Sequence, residues 1–174
     1  RYTTVKGDGT LQGYGLLPNL TLEAGGTAVL KDYLLDFTGT LQVLTSGTMK
    51  SGSTVVVAID GAASNSLLQV KFLTLNGTVK VELGDYTPKK DDKFTIWKGT
   101  GSISGTPTLD LPALPAGLYW DTTELVAADG KALKTGVLKV TDDSSVGIDM
   151  ASGAVTDCDV YTLGGLLVTS FRAT

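Results

Sequence analysis

Short hydrophobic runs, four to nine positions long, recur along this chain and end at Gly, Asp or Asn. The stretches 39–44, 54–59, Leu67–Leu75, Thr78–Leu83, 93–97, 137–140 and 159–163 are rich in β-branched or aromatic side chains, which suit a pleated surface half sunk in a core. Each is expected to form a strand. In Thr78–Leu83 the alternation is strict: Val79, Val81 and Leu83 share one face, while Thr78, Lys80 and Glu82 share the other. Residues 55–59 are continuously apolar, as in a strand covered on both faces, and the deepest core is expected there. Helical character is confined to 122–132, which Asp129 and Gly130 limit to about two turns.

Punctuation between these runs suggests how they connect. Asn76 and Gly77 tolerate the positive φ angles of a tight hairpin, and the same pair suits a solenoid corner. Pro112 and Pro115 cannot donate ladder hydrogen bonds, so 109–117 reads as a connector crossing the end of a core. The small, polar stretch 141–153 reads as a module boundary before a final apolar segment.

Composition narrows the picture. A length of 174 residues allows one sizeable core, or one core with a terminal appendage, and 42% hydrophobic against 18% charged residues is a folding composition. Gly-Thr occurs seven times, at Gly9, Gly26, Gly39, Gly47, Gly77, Gly99 and Gly105, usually beside a short apolar run. In a solenoid, Val, Leu and Ile fill the interior, Gly, Asn, Asp and Thr take the corners, and threonines stack their hydroxyls along the outside. The separations of 17, 13, 8, 30, 22 and 6 residues show no fixed period, so a β-sandwich or β-roll stays open as the alternative. Net charge is −4 and basic residues are scattered, which argues against nucleic acid as a partner. No run approaches the roughly 20 apolar residues of a membrane-spanning helix. Arg1 fits either a processed export signal or a boundary inside a longer chain.

The order of motifs between 75 and 140 is more specific. Leu75 to Gly84, then Tyr86 to Trp97 with its "DDKFTIW", then Gly105 to Thr122 with its "LPALPAGLYWDT", and finally "GVLKV" at 136–140 resemble the end of passenger-like β-solenoids of bacterial surface proteins, the autotransporter-associated, adhesin-like class. There a "GD.FT" turn precedes an "LP.LP.GL.WDT" closing segment. Asp91-Asp92 stands where that pattern has Gly-Asp. The resemblance implies a right-handed parallel β-helix, exported and displayed outside the cell, without catalysis. Residues 158–168 are similar to the first strands of C-terminal sorting domains on proteins exported by the type IX route of Bacteroidetes.

Chemistry is sparse. The chain has no histidine, which removes Ser-His-Asp and Cys-His nucleophile systems and the commonest zinc ligand. Cys158 has no histidine to generate its thiolate. Asp91-Asp92 and Asp142-Asp143 sit in expected turns, where Asp bonds to its own backbone, and two carboxylates are too few for calcium. No catalytic residue, metal ligand or cofactor is therefore expected. Trp97, Tyr119 and Trp120 are the candidate ligand-binding residues, since exposed aromatic faces stack on sugars; the competing reading is that they plug the open end of the core.

The expectation is an all-β chain, with a β-solenoid-like domain over 1–141 closed by a segment at about 105–140, then a linker and strand pair over 142–174. Its expected function is a non-catalytic structural or adhesive segment of an exported bacterial cell-surface protein, meeting surface glycans or proteins of other cells, or associating with itself. The alternatives are a carbohydrate-binding β-sandwich, which requires an exposed aromatic platform, and a polysaccharide-active β-helix enzyme, which requires a groove of clustered Asp, Lys or Arg.

Overall fold

The computed structural model describes residues 2–32, 34, 37–125 and 136–143, with the backbone alone for Phe37 and for strands Asp157–Tyr161 and Leu167–Arg172. The chain winds rather than folding back on itself. It enters through β1 (Thr3–Val5) and β2 (Thr10–Gln12), then β3 (Gly15–Leu22) and β4 (Thr27–Val29). A short antiparallel excursion, β5 (Lys31–Asp32) with β6 (Phe37–Thr38), leads to β7 (Thr40–Met49) and β8 (Thr54–Gly61). After β9 (Ser64–Asn65), which pairs antiparallel with β8, come β10 (Leu67–Leu75) and β11 (Thr78–Leu83). Then β12 (Lys93–Thr95) leaves the coil, and β13 (Trp97–Gly99), β14 (Ile103–Ser104) and β15 (Thr108–Asp110) complete it.

Corresponding strands of successive coils pair in parallel. One sheet runs β1-β3-β7-β10-β13, with β14 also on β10, and the other runs β15-β11-β8-β4-β2. The result is a parallel β-solenoid of about three turns, all-β and without helices among the described residues. The antiparallel sandwich held open above is not formed. Along β3, β7 and β10 the inward phase slips once: Leu17 and Leu20 of β3, and Val70 and Leu73 of β10, all face the core, while β7 carries an extra residue at Leu44-Thr45. Each long strand therefore bends, so three walls surround the core. The first is lined by the first halves of β3, β7 and β10 with β13, the second by their second halves with β14, and the third by β2, β4, β8, β11 and β15.

In-register stacking fills the interior. Leu41, Leu68 and Trp97 stack on the first wall, Leu22, Met49 and Leu75 on the second, and Ala28, Val55 and Val79 on the third. All are buried, and a fully buried aliphatic side chain contributes about 1.5–3 kcal/mol relative to exposure. The continuous run at 55–59 is buried on both faces as its pattern implies, but only Val55, Val57 and Ile59 belong to the core cluster. Val56 and Ala58 alternate with them and lie outside it, in register with Lys80 and Glu82 of the neighbouring coil.

Asn76-Gly77 makes the solenoid corner, not the hairpin, because β10 and β11 belong to different sheets. Neither residue has positive φ. Glycine is needed for proximity: a Cβ at Gly77 would lie 2.5 Å from Ser53 Oγ and 2.6 Å from Ser53 O in the coil below. Asp91, by contrast, takes φ 71°, a left-handed geometry that Asp tolerates better than most residues.

The stretch 93–97, expected as one strand, divides at Ile96. Its amide donates to Gly136 O (2.9 Å) and its carbonyl accepts from Leu68 N (3.1 Å), so the residue bridges cap and solenoid. The cap is a small antiparallel sheet, in which β12 and β16 (Tyr119–Asp121) flank β17 (Val137–Thr141). Of 122–132, residues 122–125 form a turn, with Leu125 N donating to Thr122 O (2.9 Å), and the remainder lies outside the described residues. The expected module boundary does so too from 144 onward; beyond it β18 (Asp157–Tyr161) and β19 (Leu167–Arg172) pair antiparallel.

Gly77→Ala is expected to lower stability by about 1–3 kcal/mol, the usual cost of forcing extra volume into a packed site, with the midpoint of urea unfolding as the measurement. An unchanged midpoint would show that the coils can separate there without cost.

Candidate functional site

The aromatic residues singled out from the sequence converge on one end of the solenoid. Phe94, Trp97 and Trp120 are all buried, the two tryptophans 1% and 2% exposed, and Tyr119 is half-buried. Trp97 is the last rung of the inward stack above Leu41 and Leu68. Trp120 pairs with Val140 across the cap sheet and meets the Phe94 ring edge-on at 6.2 Å. Its Nε1–H donates to Pro112 O (2.7 Å), which draws the proline-rich connector across the core. Tyr86 continues the cluster with an edge contact to Phe94 at 6.4 Å. The indole rings thus present no platform to solvent, and of the three only Tyr119 keeps accessible surface.

Polar tethers hold this cap from outside. Tyr86 donates its hydroxyl to Asp92 Oδ2 (2.7 Å), and the same oxygen accepts from Lys89 N (2.7 Å). The hydrogen bond to Asp92 holds the Tyr86 phenol above its ordinary range. Lys90 reaches Asp142 at 2.7 Å, and Lys139 pairs with Glu124. Lys90 and Lys139 are each raised, chiefly by the hydrogen bond to the partner carboxylate, and Asp142 is lowered by its bond to Lys90. The two acidic pairs therefore serve turn and tether: Asp91 takes the left-handed position, Asp92 gathers donors, Asp142 anchors Lys90, and Asp143 N donates to Thr141 Oγ1 (3.0 Å).

Outward-facing residues of the walls form stacked rows that reading along the chain did not reveal. On the third wall, Thr10, Thr27, Thr54, Thr78 and Thr108 share one register. On the second, Thr4, Thr21, Thr48, Thr74 and Ser104 do the same. Alongside runs Asn19, Ser46 and Phe72, where Ser46 Oγ donates to Asn19 Oδ1 (2.9 Å). Thr74 and Ser104 hydroxyls approach to 3.3 Å. Neighbouring rungs stand about 4.8 Å apart, and the two rows roughly 6–7 Å apart along the strand. Phe72 is 45% exposed and lies above Gly101, where a Cβ would come within 2.9 Å of the ring. The Lys71 ammonium sits 5.3 Å from its centroid.

The third wall carries charged side chains. Lys80 pairs with Glu82 (2.9 Å), which together with Asp110 raises its pKa, the hydrogen bond to Glu82 being the largest cause. Lys31, only 8% exposed, donates to Asp60 Oδ1 (2.9 Å), while Asp60 Oδ2 is buried with no hydrogen-bond partner among the described residues. Among the described residues no three His, Cys, Asp or Glu side chains come together as metal ligands. Cys158 lies in β18, of which only the backbone is described. Comparison with family models, curated proteins and solved structures found no match for this chain.

Truncating Trp120 to Ala should cost about 3–5 kcal/mol in urea unfolding, because a buried ring is lost and the Pro112 carbonyl loses its donor; a midpoint close to wild type would place the ring outside the core. The Lys90–Asp142 pair has a definite sign. Asp142 is lowered, so its contribution is present above the ordinary carboxylate range and is lost as pH falls through the lowered value. Lys90 is raised, so its share holds below the ordinary lysine range and disappears as pH climbs through the raised value. Asp142→Asn is expected to lower the melting temperature at about pH 7, with the difference from wild type shrinking as pH falls through the depressed carboxylate value.

Proposed function

We propose that this chain is a non-catalytic structural or adhesive segment of an exported bacterial cell-surface protein, of the adhesin-like solenoid class that its closing segment resembles. The observation that carries the reading is where that segment lies. The stretch 105–140, whose "LPALPAGLYWDT" and "GVLKV" motifs resemble the end of passenger-like solenoids, supplies β15, β16 and β17, which finish the last coil and cap it. Sequence order and spatial role therefore agree: the motif that closes such solenoids in sequence sits at a solenoid's end here.

A solenoid suits display because its length grows by repetition while each coil needs only its neighbours for stability. Its outer walls are then free to carry recognition. The partners of this reading are glycans or proteins on other cell surfaces, and its site is outside the cell. An enzymatic role finds little support: on the third wall Asp60 is engaged by Lys31 and Lys80 by Glu82.

Antibody raised against the chain should label intact cells of the producing bacterium, and external protease should remove that label. Labelling that appears only after permeabilisation would overturn the reading.

A further inference from the structure

We propose that the outer face of the second wall docks a neutral polysaccharide, which lies across the coils with one sugar ring on Phe72. The proposal rests on the surface-display reading above and names its partner. Two properties of the face select this chemistry. The first is the combination of rows: Asn19, Ser46, Thr21, Thr48, Thr74 and Ser104 offer only hydroxyls and one amide, while the exposed Phe72 ring occupies the Asn19–Ser46 row. A hydroxyl both donates and accepts and rotates to suit its partner, as does each hydroxyl of a sugar. The ring meets the other part of a sugar, its C–H face, so a single row matches both halves of one amphipathic unit.

The second property is charge. None of the row residues ionises, whereas the third wall carries Lys80, Glu82 and Asp110 and the first wall carries Lys98 beside Gln42 and Gln69. An uncharged polymer therefore loses no ion hydration on docking here, and an acidic one finds no fork of paired cations to repay its desolvation. At its margins Lys50 is held by Glu23 (2.8 Å), and the Lys71 contact with Phe72 is an exposed cation–π pair, weak enough for an arriving sugar to displace. Gly101 completes the arrangement, because only a residue without Cβ lets the ring lie over the next coil instead of standing away from the wall. The roughly 4.8 Å rung spacing repeats the same donors and acceptors along the stack, so a polymer gains contacts with length where a monosaccharide gains few.

Affinity electrophoresis of the chain in native gels cast with hydroxyethylcellulose, galactomannan or polygalacturonate tests this. The expected result is retardation in at least one neutral gel and none in polygalacturonate. Phe72→Ser and Thr48→Glu should each weaken that retention about tenfold or more, and Lys80→Ala on the third wall should leave it unchanged. All three positions face outward, so melting temperatures near wild type will accompany the variants. Free migration in both neutral gels, retention in polygalacturonate alone, or neutral-gel retention that survives both second-wall variants would each overturn the proposal. Surface labelling is read separately: labelled cells without glycan retention remove this partner and leave the display reading, whereas label confined to permeabilised cells removes the display reading itself.

Discussion

The structure depends on one constraint, the parallel hydrogen-bonded register between successive coils. Once β3, β7 and β10 pair in register on either side of the extra residue in β7, the paired side chains lie about 4.8 Å from their counterparts above and below. Like must then tolerate like. Inward positions become columns such as Leu22, Met49 and Leu75, where each member is covered by the next and none needs a polar partner. Outward positions become rows, where hydroxyls satisfy one another, as Thr74 and Ser104 do, or bond to an amide, as Ser46 does to Asn19. Corners must let one coil's backbone rest on another's, which explains Gly77 above Ser53 better than any turn geometry does.

A stack of this kind has a problem at its ends. The last coil would expose the columns it completes, and its strands would offer unpaired backbone groups. Here the chain itself covers one end. Ile96 hands the backbone from cap to solenoid, Trp97 finishes a column, and Phe94 and Trp120 pack edge to face beneath the antiparallel strands. The proline-rich connector contributes through what it lacks: Pro112 has no amide to donate, yet its carbonyl receives the Trp120 indole. Charge plays its part outside, in Lys90–Asp142 and Tyr86–Asp92, where loops rather than core are tethered.

With core and cap serving stability, recognition falls to the outer walls, and these differ in kind. The third wall carries ion pairs, including the nearly buried Lys31 against Asp60. The second carries neutral rows with Phe72 among them. On the proposed reading, a displayed solenoid with neutral, hydrogen-bonding rows on one wall has a division of labour: length and rigidity come from the register, and selectivity comes from which side chains the register brings together.

Much of the fold was legible along the chain. β10 and β11 were bounded to the residue by β-branched runs ending at Asn76-Gly77, and the irregular Gly-Thr spacing did not conceal a solenoid, because coil length varies while register does not: Ser53-Thr54 and Pro107-Thr108 hold the places that Gly26-Thr27 and Gly77-Thr78 hold in other coils. The short strands β1, β2, β4, β14, β15 and β16 escaped notice, since two or three residues carry too little pattern without a neighbour to pair with, and so did the longer β3, whose apolar run is broken by Pro18 and Asn19. The division of 93–97 at Ile96 was equally invisible, because Phe94 and Trp97 are alike apolar and only their partners, Leu138 in the cap and Leu68 in the coil, differ. Trp97, Tyr119 and Trp120 could be gathered into one region from sequence order, but whether their rings faced water depended on packing. Local preference, then, determined which residues would be strand, corner and core. Which residues of separate coils would share a row, as Asn19, Ser46 and Phe72 do, was decided only in the folded stack, because hydrogen-bond register joins positions that spacing along the chain leaves unrelated.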